Sequence, residues 1–104
     1  MTPEKFVALW KSEKALMLQL FMDGSGTTAA AKQIQAMQLT PDQMDKLRAV
    51  IDTVLTDAMY TLLLALDGEA SIGEVQQTYE LKSEDGTVLT GQLEAEAWKQ
   101  FHAS

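Results

Sequence analysis

The stretch from Met44 to Leu66 has the apolar spacing of one long α-helix. Its apolar residues recur at intervals of three and four, which is the spacing of a single helix face. The residues on this face are Met44, Leu47, Ile51, Val54, Leu55, Ala58, Leu62 and Leu66. In the last two turns Met59, Leu63 and Leu64 add a second apolar face. We therefore expect this helix to be the centre of the fold, with its C-terminal end covered on several sides.

The residues at both ends of this stretch predict where the helix begins and ends. Thr40 is a suitable N-cap, Pro41 suits the first helical position, and Gln43 completes a capping box. At the other end Asp67 and Gly68 predict the stop, with Gly68 in the left-handed conformation after the C-cap. The expected helix therefore spans the whole of the apolar stretch.

Three further segments are expected to be helical. The first helix begins at Thr2–Glu4, where a hydroxyl cap precedes proline and an acid, and it ends at Asp23. Its expected face consists of Phe6, Leu9, Trp10, Glu13, Met17, Leu20 and Phe21. A short, partly exposed helix is expected over Ala29–Met37, which has high helix propensity but few large apolar side chains. The last helix is expected over Gln92–His102. Its expected buried side consists of Leu93, Ala97, Trp98 and Phe101.

The segment from Val75 to Leu89 has the pattern of a β-hairpin. Apolar and polar residues alternate over 75–82, which is the period of a strand with one covered face. Ser83–Gly86 is the expected connection, and Thr87–Leu89 is the expected return strand. Because a two-stranded hairpin is marginal in water, we expect it to lie on the central helix or to pair with another copy. The predicted fold class is α+β, mostly helical, with one small antiparallel hairpin.

Length and composition predict one soluble domain. The chain has 104 residues, enough for a single core over residues 1–104. It has no cysteine, which excludes disulfides, thiolate metal sites and cysteine nucleophiles. The opening residues Met1–Glu4 do not have the pattern of a signal peptide. The longest strongly apolar run, Ala58–Leu66, is about half of what a membrane-spanning helix needs. We therefore expect a cytoplasmic protein that does not bind membranes.

The negative charge is concentrated in the last third of the chain. Residues 1–66 hold seven acids and six bases, whereas residues 67–104 hold eight acids and two bases, out of a net charge of −7. This balance disfavours nucleic-acid binding, which needs clustered Lys and Arg, and favours a basic protein partner. The alternative is that the acids only maintain solubility. The candidate partner-binding residues are Asp67, Glu69, Glu74, Glu84, Asp85 and Glu94.

No motif in the chain predicts catalysis or a cofactor. Gly24–Ala29 matches the dinucleotide fingerprint G-x-G-x-x-A, but helix instead of strand is expected before it, so we interpret it as a connector. A calcium loop starting at Asp23 is disfavoured because its twelfth position is Ile34. His102 is the only histidine and is expected as a cation at a helix C-terminus. We predict no catalytic residue, no metal, no cofactor and no enzymatic activity.

Several C-terminal motifs resemble a group of small bacterial proteins. The motifs are YTLLLALDGEASIG over residues 60–73, Gln77-x-Tyr79-x-Leu81, Glu84-Asp85-Gly86, Leu89-Thr90-Gly91 and Phe101-His102. The resemblance covers about residues 40–102, and it implies no catalytic residues because the group has no assigned activity. In its small size, acidity and lack of cysteine, the chain is also similar to immunity proteins that neutralise bacterial toxins.

Three functional hypotheses remain open at this point. The first is a non-enzymatic acidic binding protein of the immunity or antitoxin type, which blocks a basic, toxin-like partner by occlusion. The second is a self-associating structural or adaptor domain, a homodimer formed through hairpin edges or through the helix that carries Phe6 and Trp10. The third is a small ligand-binding or enzymatic domain that uses the carboxylates of residues 67–74. The absence of a recognisable catalytic constellation favours the first two.

Overall fold

A computed structural model describes residues 1–102, which form four α-helices joined by turns and loops. Helix α1 spans Pro3–Phe21, α2 spans Ala29–Ala36, α3 spans Pro41–Leu66 and α4 spans Leu93–Phe101. Helices account for 61% of the structure, and no β-strand is present within residues 1–102. The fold is therefore all-α, and the predicted α+β class is wrong.

The helix ends follow the predicted cap residues. The Gln43 N–H donates to Thr40 Oγ1 at 3.2 Å, and the Thr40 N–H donates to Gln43 Oε1 at 2.9 Å, which completes the capping box of α3. At the other end Gly68 has a φ of 80°, and the N–H groups of Gly68 and Glu69 donate to the carbonyls of Ala65 and Leu64. This is a Schellman motif, and it confirms the predicted position of Gly68.

The predicted β-hairpin over residues 75–89 is wrong, although its turn is present. The Gly86 N–H donates to the Ser83 carbonyl at 2.9 Å, but strand pairing is limited to an isolated bridge between Lys82 and Val88. The physical reason is that no core covers the first half of the expected first strand, since residues 75–78 are all exposed. Side chains also take the place of ladder bonds: the Leu81 N–H donates to Thr90 Oγ1 at 3.3 Å.

The described chain divides into two compact units, of which the first contains Met1–Lys11 and residues 56–102. Its core consists of four fully buried residues, Val7, Leu63, Leu93 and Ala97. Half-buried side chains pack around this core: Phe6, Trp10, Tyr60, Leu66 and Phe101. Helices α1, α3 and α4 thus each supply part of one core, and this core holds α4 and the segment before it in place.

The second unit consists of Ser12–Leu55. Its buried apolar residues are Leu18, Ala31 and Ile34. Lys14 Nζ lies 3.0 Å from a carboxylate oxygen of Asp52. In the connector before α2, the hydroxyl and the backbone N–H of Ser25 both donate to Asp23 and hold the pKa of that carboxyl below its ordinary value. These contacts form a hydrogen-bonded turn at the beginning of the glycine-rich connector.

Helix α3 buries residues of its predicted second apolar face and leaves part of its predicted first face exposed. Val54, Ala58 and Leu62 of the expected face are exposed, whereas Met59, Leu63 and Ala65 are buried. An 18-residue window of α3 has a mean hydropathy of 1.6, with 17% of it buried, so the helix is long and apolar enough to cross a membrane. One such helix is weak evidence for a membrane span, because the core helix of a soluble protein can meet the same criteria.

Candidate protein-binding surface

The carboxylate of Asp67 joins the end of α3 to the beginning of α4. The Gly91 N–H donates to its Oδ1 at 2.7 Å, and the Glu94 N–H donates to its Oδ2 at 2.9 Å. The first N–H groups of a helix lack intrahelical partners, and the residue at the N-cap of α4, Gln92, supplies no side-chain bond. Asp67 therefore serves as the cap of α4 from outside that helix. Both of its oxygens are used within the fold.

Asp85 has a similar structural task in the turn at residues 83–87. Its Oδ2 lies 2.7 Å from the N-terminal amine of Met1, and its Oδ1 accepts hydrogen bonds from the Thr87 N–H and the Ser83 hydroxyl. The amine first, and then these hydrogen bonds, hold the pKa of the Asp85 carboxyl well below its ordinary value. Asp85 is therefore ionised at neutral pH and fixes the turn that carries it.

The other four predicted partner-binding residues are free at the surface. Glu69, Glu74, Glu84 and Glu94 are exposed, and none forms an ion pair with any residue within 1–102. The bonds of Asp67 bring the first turn of α4, with Glu94, beside the end of α3, where Glu69 lies. Uncompensated negative charge thus borders the junction of α3 and α4 and extends into the loops between them.

Glu74 lies at the tip of a tight turn that also exposes two aliphatic side chains. The backbones of Ile72 and Val75 exchange two hydrogen bonds of 2.9 and 3.0 Å across this turn. Gly73 and Glu74 both have positive φ, 58° and 68°, as in a type I′ turn. A left-handed conformation costs a glutamate about 1 kcal/mol. Ile72 and Val75 are exposed, so the tip combines one carboxylate with an apolar pair.

An open cleft of about 480 Å³ lies beside the Asp67 cap. Its lining consists of Asp67, Thr78, Tyr79, Glu80, Val88, Thr90 and Gly91. Both acids of this lining are already engaged, Asp67 by the cap of α4 and Glu80 by Lys82 at 3.2 Å. Within residues 1–102 no group of three or more His, Asp or Glu side chains is placed to hold a metal ion. The cleft therefore offers hydrogen-bonding groups without a free pair of carboxylates.

Trp98 is exposed, although the sequence pattern predicted it on the buried side of α4. Its side chain is 54% exposed and lies against His102, with ring centroids 5.3 Å apart. The His102 ring also meets Tyr60 edge-on at 4.6 Å, at the predicted C-terminal end of α4. Glu94, Trp98 and His102 follow one another in steps of four, which places them on one face of a helix. This spacing is the sequence signal that could have identified the exposed face of α4.

The glycine-rich segment Gly24–Ala29 shows the surroundings of a connector. It joins α1 to α2, and Thr28 Oγ1 accepts the Ala31 N–H at 3.0 Å as the N-cap of α2. A helix precedes the segment, where a dinucleotide site needs a strand. Ile34, at the twelfth position of the possible calcium loop, is buried in the second unit.

Comparison with protein-family models, with curated proteins and with solved structures gives no match to this chain. The resemblance to small bacterial proteins stays a prediction, and so does the likeness to immunity proteins. A functional proposal therefore rests on the geometry and charge of the surface described above.

Proposed function

We propose that this chain is a non-enzymatic domain that binds a basic protein through the segment between α3 and α4 and the first turn of α4. The observation that carries the proposal is the set of exposed carboxylates without ion pairs on this surface: Glu69, Glu74, Glu84 and Glu94. Such a surface attracts a positively charged partner and orients it during encounter.

The exposed aliphatic residues on the same segment favour a protein partner over a role in solubility alone. Ile72, Val75 and Val88 are each at least 42% exposed, and in the sequence they lie between the free carboxylates of Glu69 and Glu94. Protein interfaces combine an apolar centre with a polar rim, whereas a surface that only maintains solubility gains nothing from exposed aliphatic side chains. The mixture of the two therefore matches a protein-binding surface.

The segment is held in shape although it contains no regular secondary structure. The Gln76 amide donates to the Gly68 carbonyl at 2.8 Å, and the Leu89 N–H donates to the Leu81 carbonyl at 2.8 Å. With the Asp67 cap and the Asp85 turn, these bonds tie the loops to α3 and α4. Ordered loops lose less conformational entropy on binding, which supports a recognition role. Occlusion of a basic toxin-like protein, as by an immunity protein, is the form of binding that we propose.

The experiment is affinity capture from the source organism, followed by measurement of binding to the purified partner. The test variant carries Glu69→Lys, Glu74→Lys and Glu84→Lys. A control variant carries Glu13→Lys, Asp45→Lys and Asp57→Lys, which are exposed acids outside the segment. Each set adds three changes of +2, so both variants have a formal net charge of −1 in place of −7. We expect the captured partner to be basic and its binding to be lost in the test variant alone. Equal loss in both variants would refute a specific surface.

Self-association is a second candidate function, favoured by an exposed apolar face on α3. Val50 and Val54 are each 57% exposed and border a shallow depression of about 300 Å³. The two surfaces that the sequence suggested for self-association are not available in the structure. The hairpin does not form, and Phe6 and Trp10 pack against the core of the first unit. Light scattering over a range of protein concentrations tests this candidate. Self-association through this face predicts a mass that rises with concentration and that falls to the monomer mass in Val54→Glu. A monomer mass at every concentration, the same in both proteins, would exclude this candidate.

A further inference from the structure

Helix α4 has one buried face and one face that carries an exposed tryptophan beside a free carboxylate. Leu93 and Ala97 are fully buried in the core of the first unit, whereas Trp98 and Glu94 point away from it. Residues four apart on a helix are neighbours, with Cβ atoms about 5–6 Å apart. Glu94 and Trp98 are therefore neighbours on the solvent side of α4, one helical turn apart.

The Trp98 ring is held in place by two other aromatic side chains. Its centroid lies 5.3 Å from that of His102 and 6.4 Å from that of Tyr60. Tyr60 belongs to α3 and packs against the core, so the cluster ties the indole to the interior of the first unit. A large ring that is both exposed and fixed loses little entropy when a partner covers it, as tryptophans at interface hot spots do.

We infer that Trp98 and Glu94 together bind the guanidinium group of an arginine on the basic partner, an inference that rests on the proposed function. The planar guanidinium stacks on an indole face and donates two parallel N–H bonds to a neighbouring carboxylate. An indole and a carboxylate one helical turn apart supply both of these contacts. Lysine fits less well because its ammonium is compact and strongly hydrated.

The charge around Glu94 is complementary to a cation. Glu94 has no basic partner within residues 1–102. The nearest base along α4, Lys99, pairs with Glu96 at 3.5 Å. From residue 67 onward the sequence contains eight acids and two bases. An incoming arginine therefore meets attraction from Glu94 and from the wider segment, and its side chain finds an apolar surface in Trp98.

The experiment titrates the full chain with N-acetylarginine amide at constant ionic strength and follows the indole N–H signals by NMR. Trp10 is the only other tryptophan, and it serves as the internal control because it packs against the core. The Trp98→Phe variant assigns the Trp98 signal. The same titration with N-acetyllysine amide measures the preference for the guanidinium group. The variant Glu94→Gln is compared with the control Glu13→Gln, which changes an exposed glutamate outside the proposed binding surface.

We expect a saturable shift of the Trp98 signal with the arginine probe and a weaker response to the lysine probe. Glu94→Gln weakens arginine binding by about two- to five-fold, the range for a partly exposed cation–π and ion-pair contact, whereas Glu13→Gln leaves it unchanged. Equal responses to the two probes, or an affinity for the arginine probe that Glu94→Gln does not change, would overturn the inference. The Trp98→Phe variant keeps an aromatic ring, and its thermal unfolding midpoint verifies that the fold is intact.

The failure of this inference is distinguishable from failure of the proposed function. If Trp98 gives no response to arginine while charge reversal at Glu69, Glu74 and Glu84 still abolishes capture of a basic partner, the inference is wrong and the proposed function stands. If the captured partner binds Glu94→Gln and Trp98→Phe as tightly as the unaltered chain, the arginine site is likewise excluded. If no basic partner is captured, the proposed function fails first.

Discussion

The structure predicts that α4 depends on Asp67, a residue 26 positions before the helix begins. Its carboxylate accepts the N–H groups of Gly91 and Glu94 at 2.7 and 2.9 Å, and Gln92 does not provide an alternative cap. Replacing Asp67 by Ala leaves both N–H groups without this acceptor and removes a negative charge from the helix N-terminus. Because Leu93 and Ala97 of α4 are part of the core, loss of the cap also weakens the core.

The expected loss of stability is about 2 kcal/mol for Asp67→Ala. Loss of an N-cap costs about 0.5–2 kcal/mol, and the interaction of a carboxylate with the helix dipole contributes about 0.3–1 kcal/mol. Because the site is half-exposed, water replaces part of the lost hydrogen bonding, so the sum stays near the middle of these ranges. In a domain of this size, 2 kcal/mol lowers the unfolding midpoint by about 8–16 °C. Asp67→Asn retains one acceptor oxygen and is expected to lose about 1 kcal/mol.

The assay is thermal and urea unfolding of Asp67→Ala beside the control Asp57→Ala. Asp57 lies exposed on α3 and forms no ion pair with a residue of the described chain, so its replacement is expected to change stability by less than about 0.5 kcal/mol. Tryptophan fluorescence follows the surroundings of Trp10 in α1 and Trp98 in α4 together. If Asp67→Ala unfolds within 0.5 kcal/mol of the control, the carboxylate does not support the helix and this reasoning is refuted.

Three further predictions test the fold. Leu63→Ala is expected to lower the free energy of unfolding by about 2–5 kcal/mol because the Leu63 side chain is fully buried. Leu62→Ala is expected to lower it by less than about 1 kcal/mol because Leu62 is 46% exposed. Equal losses in chemical unfolding would contradict the assignment of the buried face. Gly68→Ala is expected to lose about 1–2 kcal/mol because φ is 80°, whereas Gly24→Ala, with open space around it, is expected to be nearly neutral; matched unfolding midpoints would disprove the strain. The pKa of Asp85 is lower in the folded chain, so the contribution of its carboxylate to the free energy of unfolding is fully present above the unfolded pKa of about 3.9 and is lost as the pH falls through the lower, folded pKa. The difference in stability between the unaltered chain and Asp85→Asn should therefore shrink on acidification. A difference that stays constant with pH would contradict this prediction.

The helix ends could be predicted because their signals are local. The capping box of Thr40 and Gln43 and the left-handed Gly68 involve residues within a few positions of each other. The turn at 83–86 is local in the same sense, and it forms as expected. Strand pairing on either side of that turn depends on whether a core covers the strands, and sequence alternation does not contain this information. The hairpin was therefore the wrong part of the predicted fold.

The buried faces could not be chosen from periodicity alone where a helix is apolar on two sides. In the last turns of α3, Leu62 and Leu63 lie on neighbouring faces, and either set has helical spacing. The structure buries Leu63 because it meets Val7, Leu93 and Ala97 from two other helices. The prediction placed Trp98 on the buried side of α4 because Ala97 and Trp98 are adjacent and both are apolar. In the structure Ala97 is buried in the core and Trp98 is exposed.

The candidate surface was predictable as a region but not in its details. The excess of acids after residue 67 indicated where the charge lies, and Glu69, Glu74, Glu84 and Glu94 are indeed exposed. Which acids are used within the fold depends on contacts across long sequence distances. Asp67 accepts bonds from residues 24 and 27 positions away, and Asp85 meets the amine of Met1 at a separation of 84. Composition and spacing contain no signal for these contacts.

The most direct test of the proposed function is the salt dependence of binding between this chain and its purified basic partner. The account predicts that affinity falls as salt screens the free carboxylates, and that the Glu69→Lys, Glu74→Lys and Glu84→Lys variant loses at least about tenfold in affinity. The control variant at Glu13, Asp45 and Asp57 has the same net charge and is expected to bind within about threefold of the unaltered chain. Equal affinities for the two variants, or binding that does not respond to salt, would contradict the account.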